Sequence, residues 1–172
     1  MCLFKDKWPK GELTQKYTWA VQGIETLHQI VEFIKPFKSK KDVGDYWQSP
    51  SETYERKTYD CEDMAIMVMD ILKRVLKTEE VWFIIYAGYY MKEGKRTYSA
   101  HAVCIFYHKN PMIYQQGYYE FTNKTLRAAF EKDQGNLIEY GYRHYPEGLK
   151  SYECRDHTGK IIERKRKWIG YL

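Results

Sequence analysis

The apolar repeat of the chain changes once, between Leu76 and Val81, and that change limits the fold more than any other feature. Before it, apolar residues recur three and four apart, the spacing of a helix with one buried face. Ala20, Val21, Ile24, Leu27, Ile30, Val31 and Ile34 predict a helix from Tyr17 to Phe33, and Pro36 forbids its simple continuation. "SPSE" predicts a second, short helix: Ser49 caps it, Pro50 takes the first helical position and Glu52 closes a capping box. A third helix begins at Asp60 and carries Ala65, Ile66, Val68, Met69, Ile71, Leu72, Val75 and Leu76. After it, "VWFIIYAGYY", "SAHAVCIFY" and "MIYQQGYYEF" are rich in branched and aromatic residues and predict strands. Turns at "KEGKR" and "HKNP" join them. "TNKTLRAAFEKD" predicts a small helix, and "SYECRDHTGKIIERKRKW" a hairpin about "DHTG". Helices come first and an antiparallel meander later, which predicts an α+β fold in a single domain, residues 1–172.

A chain of 172 residues can bury about 70% of its unfolded surface, enough for a sizeable core. With 44% hydrophobic residues and 17 tyrosines, it is too apolar and aromatic for a disordered chain. The net charge of +5 is modest, and the basic runs "KPFKSKK" and "IIERKRKW" read as solvated faces rather than a nucleic-acid surface. No apolar run approaches the roughly 18–20 residues that span a bilayer. "MCLFKDKWPKGE" lacks a continuous apolar stretch, which predicts no secretory signal. Cys2, Cys61, Cys104 and Cys154 are far apart and fit neither a disulfide framework nor a zinc site. Their usage predicts a reducing cytoplasm.

The residues that suggest chemistry are in "TYDCEDMAIMVMDILKRVLK". Asp60 can cap the free amides of the first turn and Asp63 can reach back, which puts Cys61 at the first helical position. The positive end of the helix dipole favours a thiolate there, while the neighbouring carboxylates oppose it. The helix alone leaves two readings open, a structural cysteine and a nucleophile. His101, at the head of "HAVCIFY", is the candidate base: by alternation it shares a face with Val103 and Ile105. A structural histidine is the plainer reading until Cys61 is considered with it.

"DYWQSPSETYERKTYDCEDMAIMVMDIL" followed by "HAVCIFY" resembles the transglutaminase-like cysteine proteases, in particular the bacterial transglutaminase-like cysteine proteinase group. The matched stretches run from Asp45 to Leu72 and from His101 to about Gln116. Short proteins of this layout carried by bacteriophages are similar too. The resemblance implies a papain-like core, with the cysteine helix packed on an antiparallel sheet that carries the histidine. It implies Cys61 as nucleophile, His101 as base, Trp47 lining the site and the Cys61 backbone amide in an oxyanion hole. Some secreted members hold calcium through acids flanking the cysteine. Asp60 and Glu62 match those positions, although capping explains the same acids.

Two departures matter. Tyr59 replaces the glycine that precedes the Asp-Cys pair in the family, and the strand after the histidine supplies no aspartate in "MIYQQGYYEF". A turn centred on Lys109 and Asn110 would pair residue 103 with 116, so Gln116 would share the face of His101; a slip of one residue selects Gln115. A glutamine oxygen can orient imidazole, but it brings no full charge. The expectation is a Cys-His thiol hydrolase or acyltransferase acting on amide bonds of a protein or peptide through a thioester, with no cofactor required. The rival expectations are a catalytically degenerate binding module on the same fold, of the phage type, and a nucleic-acid surface built from the tyrosines and basic residues.

Overall fold

The computed structural model describes residues 8–9, 11–41, 46–108, 117–122, 124–130 and 145–166. The helical part opens with α1 (Gln15–Val21) and α2 (Leu27–Ile34), two helices where the repeat predicts one. The division is local: Thr26 caps α2, its side chain accepts from the Gln29 amide, and the Gln29 side chain answers the Thr26 amide. Such a reciprocal box starts a helix, so the chain turns at Gln22–Gly23 and begins again. The register of apolar residues survives the break, and Tyr17, Val21, Leu27, Ile30 and Ile34 all reach the core.

A two-residue strand, β1 (Lys38–Ser39), pairs in parallel with β2 (Thr58–Tyr59), and α3 (Pro50–Arg56) lies between them in the chain. Ser49, Pro50 and Glu52 form the expected start of α3. Its end is set by Lys57, in the left-handed region at φ 55°. Next comes α4 (Cys61–Asp70), continued by one π-helical turn at Ile71–Val75.

The sheet has six strands in the order β6-β5-β4-β3-β7-β8, all neighbours antiparallel. They are β3 (Val81–Lys92), β4 (Lys95–His108), β5 (Gly117–Thr122), β6 (Thr125–Phe130), β7 (Leu149–Arg155) and β8 (Ile161–Arg166). The chain is therefore α+β, as its repeat predicts. The turns at Glu93–Gly94 and about "DHTG" also stand; in the latter, Asp156 accepts from the Thr158 amide at 2.9 Å. A second element is corrected. Residues 125–130, expected to be helical, form β6, because pairing of Phe121 with Leu126 and Tyr119 with Ala128 extends the sheet. Sheet pairing outweighs the weak helical preference of a short segment.

Helix α4 covers one face of the sheet. Ala65, Val68, Met69 and Leu72 join Phe83, Ile85, Ala102, Cys104, Phe106 and Phe121 in the main core. The other face buries Ile84, Tyr86, Val103, Ile105, Tyr152 and Cys154 as a second cluster. Alternation thus sends even residues of β4 toward α4 and odd ones away from it. Phe106 is central to the helix-side core, fully buried and stacked on Phe121 with centroids 6.0 Å apart. Phe106→Ala is expected to destabilise the fold by about 3–5 kcal/mol, read from urea unfolding, through lost burial and the cavity left behind. Among the described residues no helix is long and apolar enough to cross a membrane.

Candidate active site

The amino end of α4 is fixed by three acids. The Asp60 side chain accepts from the amides of Glu62 at 3.2 Å and Asp63 at 3.3 Å, and the Asp60 amide donates back to Asp63 Oδ2 at 3.2 Å. The expected capping box is present, with Cys61 at the first helical position. Asp63 is fully buried and holds more than the cap. It also accepts from the Gln48 amide at 2.7 Å and from Gln48 Nε2 at 2.6 Å, which ties the segment before α3 to the start of α4.

The charge of the thiol differs from the dipole argument. Cys61 Sγ donates to Glu62 Oε2 at 2.9 Å. Burial first, and then the Glu62 carboxylate, hold the thiol well above its ordinary pKa; a hydrogen bond from the Ala102 amide pulls weakly the other way. The resting group is therefore a thiol, because desolvation and an adjacent anion outweigh the field at one helix end. The Glu62 carboxyl is itself pushed up to about 7, by burial first and by Asp60 second.

His101 stands opposite Tyr86 in the sheet, on the face away from α4. It is half-buried, and its Nε2 is 2.7 Å from Thr122 Oγ1. The residue against the imidazole is thus a threonine. The expected register, 103 opposite 116, is not the one found: His108 pairs with Gly117 and Cys104 with Phe121. That register brings Thr122, the last residue of β5, beside His101. Gln115 and Gln116 lie outside the described residues. Glu120 is on the same face as Thr122, two residues earlier, and is 1% exposed. It is within electrostatic reach of Tyr86, the cross-strand partner of His101.

Cys61 and His101 come to β4 by different routes. In an antiparallel strand successive residues point their backbone groups alternately to the two sides. The Tyr107 amide bonds the Glu80 carbonyl on the β3 side, so odd residues of β4 point that way. The Ala102 amide, which reaches the Cys61 sulfur, points to the β5 side. The Thr122 bond draws the His101 ring toward that same side. The Ala102 amide that meets the thiol and the Thr122 hydroxyl that meets the imidazole are thus both on the β5 side of β4.

Trp47 does not line an opening. It is 3% exposed, its ring is 5.2 Å from that of Phe83, and the buried Arg155 guanidinium lies 5.5 Å from its centroid. It is a core residue that supports the sheet under α4. Asp60 Oδ1 is used on two amides and Glu62 Oε2 on the thiol, and among the described residues no three His, Cys, Asp or Glu side chains gather as a metal site. No step is derived through a metal.

Thr122, Glu120 and Gln48 are the residues that the sequence reading passed over. Alternation in "YYEFT" does turn Glu120 and Thr122 to the face opposite Tyr119 and Phe121, so part of the signal was there. The missing quantity was the distance between the paired ends of β4 and β5.

No family model and no curated protein matches the chain. Two solved structures are similar to it: calcium-bound Legionella pneumophila LapG, at 20% identity over 75% of this chain and 87% of that one with a TM-score of 0.39, and Legionella pneumophila LapG, at 20% identity over 74% and 85% with a TM-score of 0.40.

Proposed function

We propose that the chain is a thiol hydrolase or acyltransferase of amide bonds, of the transglutaminase-like cysteine protease type, with Cys61 as nucleophile and His101 as base. The observation that carries this reading is the placement of the thiol at the amino end of α4, bonded to the Ala102 amide, one residue from a histidine whose Nε2 is held by Thr122. With Nε2 carrying its hydrogen and donating to Thr122 Oγ1, Nδ1 is the nitrogen that takes the thiol proton. The sulfur then attacks the substrate carbonyl, and a carbon–sulfur bond forms. His101 returns the proton to the leaving nitrogen, the carbon–nitrogen bond breaks and a Cys61 thioester is left. Water resolves the thioester to an acid; an amine acceptor would resolve it to a new amide. The chemistry calls for no cofactor.

Thr122 acts through His101 and is a positioning residue. Thr122→Val is expected to lower kcat by about 10–100-fold with KM little changed, because a hydrogen bond that contributes about 1–3 kcal/mol in the transition state is lost. Thr122→Ser should restore most of it. An equal loss in both variants, or a loss confined to thermal stability, would assign Thr122 a structural role.

A second reading, a binding module that has lost catalysis, is favoured by one observation: the resting thiol is held protonated by burial and by Glu62. Under it, Cys61→Ala leaves the biological effect of the protein intact.

A further inference from the structure

Asp63 does more than close the capping box of α4. The box asks one bond of it, from the amide of the capping residue, and that bond is present: the Asp60 amide donates to Asp63 Oδ2 at 3.2 Å. Two shorter bonds come from outside the helix. The Gln48 amide donates to Asp63 Oδ1 at 2.7 Å, and Gln48 Nε2 donates to Asp63 Oδ2 at 2.6 Å. Both are buried, and hydrogen bonds to a carboxylate are about twice as strong as neutral ones.

Gln48 is a fixed point to which the start of α4 can be tied. Trp47 before it packs on Phe83, and Ser49 after it caps α3 with Glu52. Its main chain is therefore held on both sides, 15 residues from Asp63. Cys61 belongs to the turn that Asp63 closes, and its sulfur meets the Ala102 amide. The Gln48 side chain is 1% exposed, and its Oε1 makes no hydrogen bond among the described residues. A carboxylate only accepts, so the amide must present its nitrogen to Asp63 and turn its oxygen elsewhere. A buried acceptor left bare destabilises a fold. The side chain is set by Asp63 rather than by its own best hydrogen bonding.

We propose that Gln48 is a positioning residue of the thiol site: clamped to Asp63, it holds the first turn of α4 where the Cys61 sulfur meets the Ala102 amide, one residue from His101. A misplacement of about 1 Å at a reacting group can lower a rate about 100-fold, so a turn that carries a nucleophile gains from an anchor outside its own helix. The proposal rests on the thiol reading above and adds a residue to it. The plain alternative is that Gln48 only ties the entry of α3 to α4 and serves stability.

The test uses the full chain and p-nitrophenyl acetate, with Gln48→Met, which keeps the length of the side chain and removes both its donor and its bare oxygen. The acylation rate constant at saturating ester should fall at least about tenfold, with the half-saturating concentration and the thermal midpoint little changed. Hydrogen exchange at the Ala102 amide should quicken at least about tenfold. Exchange at the Tyr107 amide of the same strand, which bonds the Glu80 carbonyl at 3.0 Å, should not change. If Gln48→Met does not fold, Gln48→Asn, whose amide is too short to reach Asp63 at the same distance, is expected to give the same readings. A folded variant that acylates as fast as the unsubstituted protein overturns the proposal. So does a lowered thermal midpoint with Ala102 exchange quickened no more than that of Tyr107, which assigns Gln48 a structural tie. The two readings fail separately. Release of the Ala102 amide in Gln48→Met, in a chain whose unsubstituted form is never acylated at Cys61, upholds the clamp and removes the enzyme. Equal acylation of Cys61 in both, with the Ala102 amide still protected, upholds the enzyme and removes the clamp.

Discussion

His101→Ala is expected to lower amide turnover by about 10²–10⁴-fold, the contribution of a positioned acid–base group, and Cys61→Ala to abolish it. The difference between the two follows from their roles. Without Cys61 no thioester forms, so nothing remains but the uncatalysed reaction. Without His101 the sulfur can still attack in its rare ionised form, and the rate becomes steeply dependent on pH. Turnover of an amide substrate by the two variants across pH reads both effects. Equal rates in His101→Ala and the unsubstituted protein would remove His101 from the mechanism.

Glu62→Gln is expected to free the thiol. The carboxylate accepts the Sγ hydrogen and opposes a second negative charge beside it. Replacing it with a neutral amide lowers the thiol pKa, and each unit is about tenfold in thiolate at a fixed pH below it. Alkylation of Cys61 by iodoacetamide at mildly alkaline pH should therefore accelerate at least about tenfold. The same substitution changes stability with a defined sign. Glu62 titrates at about 7 in the fold, above its ordinary 4.5, so the folded state binds more protons between these values. Stability is lost as pH rises through that window. Glu62→Gln should raise the thermal midpoint more at pH 8 than at pH 5. A thiol that alkylates no faster in the variant would show that burial alone holds the proton.

What the sequence made legible was set by contacts close in the chain. The capping boxes Ser49–Glu52 and Asp60–Asp63 join residues three apart, and both are present. The hairpin about "DHTG" and the alternation of β3 and β4 are local in the same sense. The break between α1 and α2 was equally local, and the Thr26–Gln29 box that makes it was there to be read; a continuous apolar stripe hid it. Other features depend on partners distant in the chain. Residues 125–130 become a strand because β5 offers an edge, and nothing within the segment states that. Thr122 meets His101 because of a register fixed between Cys104 and Phe121, whereas the assumed two-residue turn pointed to the glutamines. Trp47 is buried because Phe83 and Arg155 come to it from the sheet. The protonated thiol has the same origin. The helix dipole can be read from "DCED", but the burial that overrides it comes from the packing of α4 on β4.

The central claim is that Cys61 forms a thioester with help from His101, and acyl-enzyme mapping tests it most directly. The full chain is mixed with a peptide p-nitrophenyl ester, quenched in acid and digested, and the acylated residue is located by mass spectrometry. The account predicts rapid acylation at Cys61, slowed at least about 100-fold in His101→Ala, as loss of a positioned base requires. Acylation at Cys61 with an unchanged rate in His101→Ala, or acylation of other residues at the expense of Cys61, would contradict it.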